Sequence, residues 1–401
     1  MRVALWNGSG IGNLGDALLD HINRVEIGKR IPGASFQTFT PWPSAALPHV
    51  KIDQDGRWSG EGLFDAIVIG GGALMIGPPF VHPSLQTCFL GPQPRRFRDL
   101  CPVIWNAVCF DGQFVQLLSE ASRMYVRESA ARVTYCSVRN RHSANLIRNC
   151  GATSDISITP DPVILLRPPK SRASRGQGHR RIGLALGLSG SSKTFLRNLT
   201  IPTDPSDWNS ELRVEIPSGM LKEHASLQEW GKEDFVRRVL VATEKLARHA
   251  DIEVCGFGGV YDDEATADAL EEALNCHHIK FNDSVAVDAL DWIASLDCLV
   301  ASRLHACILA LIVGTPFVAL DPYYNPVTCT SRIREFMETV DLLDEYLPLQ
   351  SFMCSSDALD EFVERSISRR SRLQVVHSSL SDLVRRHFDC VTEIIHDGRV
   401  R

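Results

Sequence analysis

No CxxC pair occurs in this chain, so a structural zinc site of the finger or ribbon kind has no support. The 12 cysteines are scattered over 401 residues, unlike the dense frameworks of short secreted domains. Several, such as Cys298 and Cys307, sit inside apolar runs, where a free thiol behaves as a small hydrophobe. They read as buried spacers in a reducing compartment. No apolar run reaches the roughly 20 residues of a membrane span. The longest, residues 306–320, is broken by Gly314 and Pro316. The opening Met1-Arg2-Val3-Ala4-Leu5-Trp6 meets Gly8 too soon for a signal peptide. The expectation is a cytoplasmic protein with no transmembrane segment. No strongly basic domain is present either. The net charge is −6, which argues against a dedicated nucleic-acid binder. Anionic small ligands stay open, because a few local arginines outweigh a mild global charge. No GxxxxGK[ST] occurs, which disfavours a P-loop nucleotidase, and no internal repeat is evident.

What is present is an ordinary globular composition, with 44% apolar and 22% charged residues. The length suggests two or three domains. Short apolar runs alternate with helical patterns. Arg2-Val3-Ala4-Leu5-Trp6 reads as a strand, followed by a glycine loop and a helix with Leu18, Leu19, Ile22 and Val25 on one face. Further strands are expected at residues 65–69, 102–108, 124–127 and 135–139, then a helix from Ser143 to Cys150 that stops at Gly151. Residues 167–181 hold six Lys or Arg and no acid, which reads as a solvated basic linker. A second series follows: strands at 182–186, 251–255, 279–281, 298–301 and 316–320, with helices at 235–250, 262–275, 287–296 and 304–313. Residues 189–229 read as a long polar loop. From about residue 356 the pattern is helical and charged. The expected architecture is α/β with parallel sheets covered on both faces. The domains fall at 1–166 and 182–355, with a helical tail at 356–401.

Two glycine loops follow apolar strands. Gly10-Ile11-Gly12-Asn13-Leu14-Gly15 formally matches GxGxxG, a loop that lets backbone approach an anion at a helix N-terminus. A dinucleotide site also expects an acid closing the next strand. The candidate, Phe36-Gln37-Thr38-Phe39-Thr40, has none. A plain tight turn is the bland alternative. Asn13 and Asp16, polar residues at the helix start, favour a ligand or capping role. Gly70-Gly71-Gly72 closes the strand at 65–69. Both loops then lie along the sheet edge where ligands bind in open α/β folds.

Cys298-Leu299-Val300-Ala301-Ser302-Arg303-Leu304-His305 is the most informative stretch. An apolar strand ends and a helix opens, with Ser302 as the expected N-cap. Arg303 and His305 then occupy the positive helix end, where a cation costs stability unless an anion offsets it. A backbone-bonded core histidine is the alternative for His305. Arg127 and Arg139 are further candidates for bidentate grip of carboxylate or phosphate. Asp161 closes an extended run, as a cap, a ligand contact or an interdomain bond.

Taken together, these pieces resemble the polysaccharide pyruvyl transferase family. The matching segments are the Gly8 to Asp16 loop leading to Leu18, Val68-Ile69-Gly70-Gly71-Gly72 and Val138-Arg139-Asn140-Arg141-His142-Ser143. They continue with Thr159-Pro160-Asp161-Pro162, and Ser302-Arg303-Leu304-His305 leading to Gly314-Thr315-Pro316-Phe317. They run in family order over about residues 1–330. The resemblance implies two Rossmann-like domains facing a cleft, as in GT-B glycosyltransferases. It also implies transfer of the carbon skeleton of phosphoenolpyruvate onto two hydroxyls of a sugar as a pyruvate ketal. One departure stands out. The family carries a Tyr and then a Lys after the strand at 316–320, whereas this chain reads Tyr323-Tyr324-Asn325-Pro326. Tyr324 keeps a binding role; Arg332 or Arg334 supplies the missing charge, or the donor differs.

Such chemistry needs an acid for the methylene carbon, a base for the hydroxyls and cations for carboxylate and phosphate. The expected acid/base is His305, and Arg303, with Arg139 or Arg127, is the expected grip on the anionic donor. Gly10, Gly12, Asn13, Gly15 and Asp16 are the expected acceptor side. Gly70, Gly71, Gly72, Ser143, Asp161 and Ser302 complete the expected binding residues. No metal cluster is visible in the sequence and no cofactor is expected, phosphoenolpyruvate being a substrate. The acceptor is a saccharide, free or linked to a nucleotide or lipid. A sugar-nucleotide glycosyltransferase and a non-catalytic relative are the competing readings, and fold alone does not separate them.

Overall fold

The structure, a computed structural model, describes residues 1–7, 14–40, 49–51, 64–70, 101–110, 120–167, 179–187, 232–257, 263–279, 286–322, 331–355 and 357–398. The chain divides into two compact units. One is Met1–Pro162 with the segment from Asp382 onward; the other lies between Val163 and Ser381.

The first unit is built on seven parallel strands: β1 (Arg2–Trp6), β2 (Ser35–Thr40), β3 (His49–Lys51), β4 (Ala66–Gly70), β5 (Val103–Val108), β6 (Tyr135–Val138) and β7 (Ile156–Ile158). Their order is β3-β2-β1-β4-β5-β6-β7. β4 and β5 are buried at every position, as strands covered on both faces must be. Helices α1 (Leu14–Arg30), α2 (Glu120–Ala130) and α3 (Arg141–Asn149) connect them. The core gathers Trp6, Phe39, Trp105, Val138 and Ile147.

The second unit carries six parallel strands: β8 (Arg180–Ala185), β9 (Ala250–Cys255), β10 (His277–Ile279), β11 (Cys298–Ala301), β12 (Phe317–Asp321) and β13 (Tyr346–Pro348), ordered β10-β9-β8-β11-β12-β13. Its helices are α4 (Lys232–Ala247), α5 (Asp263–Leu274), α6 (Ala286–Ser295), α7 (Leu304–Val313), α8 (Arg332–Thr339), α9 (Leu349–Cys354) and α10 (Ala358–Ser368). The last helix, α11 (Arg370–Asp397), begins in this unit and ends in the first.

Both sheets start in the middle, extend to one side and then reverse. The reversal falls between β1 and β4 in one and between β8 and β11 in the other. This is the doubly wound order of dinucleotide-binding folds. Its ligands bind beyond the carboxyl ends of the strands at the reversal.

Three expectations change. Residues 124–127 are not a strand but part of α2, where Val126 and Ala130, four apart, are buried. A four-residue window had too few positions to tell the two periods apart. β8 opens at Arg180, inside the stretch read as linker, because Arg180 and Arg181 find Glu364 and Glu253 as partners. The cysteines are not all buried: Cys354 and Cys390 are exposed and Cys276 is half-buried. The glycine loop at 8–13, Gly71 and Gly72, most of the basic linker and the whole 189–229 loop lie outside the described residues. So do Cys88, Cys329, Tyr324 and the Asn325-Pro326 departure. Among the described residues no helix is long and apolar enough to cross a membrane.

Candidate functional site

In the second unit, α7 is apolar all round, and every residue from Ala306 to Val313 is buried. Such a helix belongs to a core. Gly314 stops it in the left-handed conformation at φ 71°, with its N–H turned back to Ala310 and Leu311. Only the opening of the helix is partly exposed: Arg303, Leu304 and His305. Polar chemistry is thus confined to the one end of α7 that meets the β8–β11 reversal.

Ser302 anchors that end, but not as the expected N-cap. Arg303 occupies the cap position and makes no side-chain capping bond. Ser302 Oγ instead accepts from Gly187 N at 2.7 Å and donates to Gly187 O at 3.0 Å, while Ser302 N donates to Ala185 O at 3.0 Å. A hydroxyl that bonds both the N–H and the C=O of one residue staples the ends of β8 and β11 together. Pairing of Ala301 with Ala185 sets this register. Helix N-terminal amides and the half-buried Arg303 then coincide at one point, an arrangement suited to an anion. His305 is half-buried beside them, with its Nε2 shielded from solvent.

Next to it, β12 ends on the fully buried Asp321. Tyr346 donates its hydroxyl to Asp321 Oδ2 at 2.7 Å, and the Ser331 hydroxyl, the N-cap of α8, donates to the same oxygen. Burial and Asp321 together push the Tyr346 phenol well above the ordinary tyrosine range. Sequence reasoning missed Asp321 and Gly187. An acid closing an apolar strand is the signal that would have found Asp321.

In the first unit, Asp20 of α1 is the hub. Asn7 Nδ2 donates to its Oδ1 at 2.7 Å and Thr38 Oγ1 donates to the same atom at 2.8 Å. Arg24 Nε holds Oδ2 at 2.7 Å. These bonds tie the ends of β1 and β2 to α1, on which Gly15 and Asp16 are both buried. Gly70 fills a place no other residue fits: a Cβ there would stand 2.4 Å from Asn106 O. Neither Asp20 nor Asn106 was singled out from sequence.

Arg139 and Asp161 follow β6 and β7 at the carboxyl edge of the same sheet. They meet in a buried ion pair, with Nη1 to Oδ2 at 2.5 Å. Burial works against the charge, yet Cys109 and Asp161 outweigh it and hold the Arg139 pKa above its ordinary value. Ser143 is also occupied: its Oγ accepts from Phe110 N at 3.0 Å, and its N–H bonds the capping side chain of Asn140 at 2.7 Å. Arg127 is not brought to this place. It lies exposed in the last turn of α2, against Gly151 at the end of α3. Helices that return to the start of the next parallel strand end at the opposite edge of the sheet, which separates Arg127 from Arg139. Of the charges proposed to replace the family lysine, Arg334 bonds Glu338 at 3.0 Å and lies over the Tyr346 ring at 5.9 Å.

Comparisons with known proteins agree with this architecture. The chain resembles the wall teichoic acid polymerase TagF at 12% identity, over 98% of this chain and 89% of that one, with a TM-score of 0.51. A second TagF structure gives 12%, 98%, 88% and 0.50. UDP-GlcNAc 2-epimerase from Neisseria meningitidis aligns at 10% identity over 99% and 100% of the two chains, with a TM-score of 0.49. At such identities the TagF likeness speaks for the fold alone, which is of the GT-B kind. No curated protein matches the chain. The pattern of one family, polysaccharide pyruvyl transferase, matches residues 13–322. That span covers well over half of the chain and takes in the α1 start, Gly70, the Arg139–Asp161 pair and the whole Ser302–His305 turn. The chain belongs to the polysaccharide pyruvyl transferase family.

Proposed function

We propose that this protein moves the pyruvyl skeleton of phosphoenolpyruvate onto two hydroxyls of one saccharide, forming a pyruvate ketal and releasing phosphate. The observation that carries the reading is Arg303 and His305 at the uncapped start of a buried helix, at a strand reversal within the family's matched span. In this reading the donor's anionic groups meet Arg303 and the first-turn amides of α7. His305 delivers a proton to the methylene carbon C3, so that C2 becomes oxocarbenium-like and takes the first hydroxyl. Phosphate leaves from C2, the second hydroxyl closes the ring, and both hydroxyl protons pass to base or solvent. One imidazole suits both acid and base duty near neutral pH. The acceptor is assigned to the β1–α1 end of the first unit, where Asp16 offers a carboxylate. Arg139 is committed to Asp161; Arg332 or Arg334, at the start of α8, is assigned the charge of the family lysine.

The test is release of phosphate from phosphoenolpyruvate in the presence of candidate saccharides, with the product checked for ketal by NMR. His305→Ala is expected to slow turnover on the order of 100-fold or more. Near-normal turnover in that variant would remove His305 from its role. Transfer from a sugar nucleotide, with phosphoenolpyruvate inert, would replace the whole reading by a glycosyltransferase.

A further inference from the structure

Outside the two strand reversals, a cluster among the described residues joins two carboxylates and an imidazole. Asp268 and Glu271 stand three residues apart on α5 and so share a face. His278 is the middle residue of β10, the edge strand of the second sheet. Its side chain is fully buried, with Nδ1 3.2 Å from Asp268 Oδ1 and 3.3 Å from Glu271 Oε2. The ligand atoms all lie within 4.8 Å of one another.

We propose that Asp268, Glu271 and His278 bind a divalent zinc-class cation. The geometry carries this. One ring nitrogen donates or accepts along a single direction in the ring plane, yet here two carboxylates converge on it. A tetrahedral ion with bonds of about 2.0–2.1 Å sets neighbouring ligand atoms roughly 3.3 Å apart. The two separations from Nδ1 match that edge. An imidazole nitrogen with two carboxylate oxygens suits zinc and its neighbours in the first transition row, whereas calcium and magnesium favour all-oxygen sets. The carboxylate side chains are 56% and 43% exposed, so an ion enters from solvent and keeps water in its remaining position. The bound ion would clamp β10 against α5, closing a strand that among the described residues pairs with β9 alone. Sequence reasoning found no metal cluster because the 268–271–278 spacing mixes a helical step with a return to a strand.

The experiment uses tag-free full-length protein, stripped with a chelator and titrated with Zn²⁺ against a chromophoric chelator. One tight equivalent per chain is expected to disappear in the Asp268→Asn/Glu271→Gln double variant. Loss of outer-shell partners alone costs about 10–100-fold in affinity, so loss of two ligands should cost on the order of 100-fold or more. Saturating Zn²⁺ should raise the Tm of the parent protein by roughly 5–10 °C and leave the double variant unmoved. Both replaced side chains are exposed polar isosteres, so the metal-free Tm is expected to stay put. Co²⁺ provides a readout independent of any variant: visible bands without a sulfur-to-metal charge-transfer band. Absence of saturable binding, affinity unchanged in the double variant, or a thiolate band pointing to a cysteine site would each overturn the proposal.

Discussion

Arg139 and Asp161 show how residue-scale energetics separate a binding arginine from a structural one. A guanidinium that grips a donor must face it with hydrogen-bonding capacity to spare. Arg139 is instead buried against a buried carboxylate, at 2.5 Å. Removing one partner of such a pair leaves an uncompensated charge in low dielectric, which costs about 3–5 kcal/mol. Arg139→Ala is therefore expected to lower the unfolding free energy measured by urea titration by that amount, and Arg139→Met/Asp161→Leu to recover most of it. Recovery in the double variant would mark the pair as architecture. Equal loss in both, with the parental KM for donor abolished, would restore Arg139 to the substrate. The sequence showed both residues as polar punctuation at strand ends. It did not show that they pair with each other, because 22 residues and a complete helix separate them.

At the scale of elements, the apolar strands were legible because burial on both faces leaves continuous runs such as Ala66–Gly70 and Val103–Val108. Elements with little apolar content were not. β13 spans three residues and ends on Pro348, and β3 is His-Val-Lys. The polar lattice of Asn7, Asp20, Arg24 and Thr38 was also invisible, since no sequence spacing shows that they meet. A second set of buried polar bonds reaches α11, where His387 Nε2 meets Asn106 Oδ1 at 2.5 Å and Nδ1 meets the Tyr135 hydroxyl at 3.2 Å. Asn106 Nδ2 in turn donates to Asn23 Oδ1 at 2.7 Å. Burial pulls the His387 pKa down from 6.5 to about 4, so the folded state holds it neutral. Its contribution is complete above pH 6.5, where both states are neutral, and is lost as pH falls toward 4, because the unfolded chain takes up the proton first. About 2 kcal/mol of stability should be gone at pH 5 from this group alone. Urea midpoints at pH 7 and pH 5 are expected to differ less in His387→Gln than in the parent. An identical difference would place the acid sensitivity elsewhere.

At the scale of the whole molecule, the two Rossmann-type units are not simply consecutive in the chain, because α11 returns its last turns to the first unit. Val384, Phe388, Val391 and Ile395 repeat at helical spacing and are fully buried. Arg30 holds the same segment from α1: its Nε bonds Asp389 at 2.6 Å and its Nη2 bonds Arg385 O at 3.1 Å. Four buried apolar side chains are worth about 1.5–3 kcal/mol each, hence roughly 6–12 kcal/mol together. A domain is stable by only about 5–15 kcal/mol. The helix end is therefore comparable to the whole stability of the unit it covers, while the surface ion pair adds little. A chain stopped after Ser381 should keep the second sheet cooperative and lose the first. Limited proteolysis followed by mass spectrometry reads this out directly. The expected result is rapid cleavage within Met1–Pro162 and survival of fragments spanning β8 to α10. Supplying residues 382–398 as a separate peptide should restore protection in a concentration-dependent way, as binding to the folded state alone requires. Uniform resistance of the truncated chain would mean that the first sheet closes its core without α11, and that the buried stripe contributes far less than its area implies.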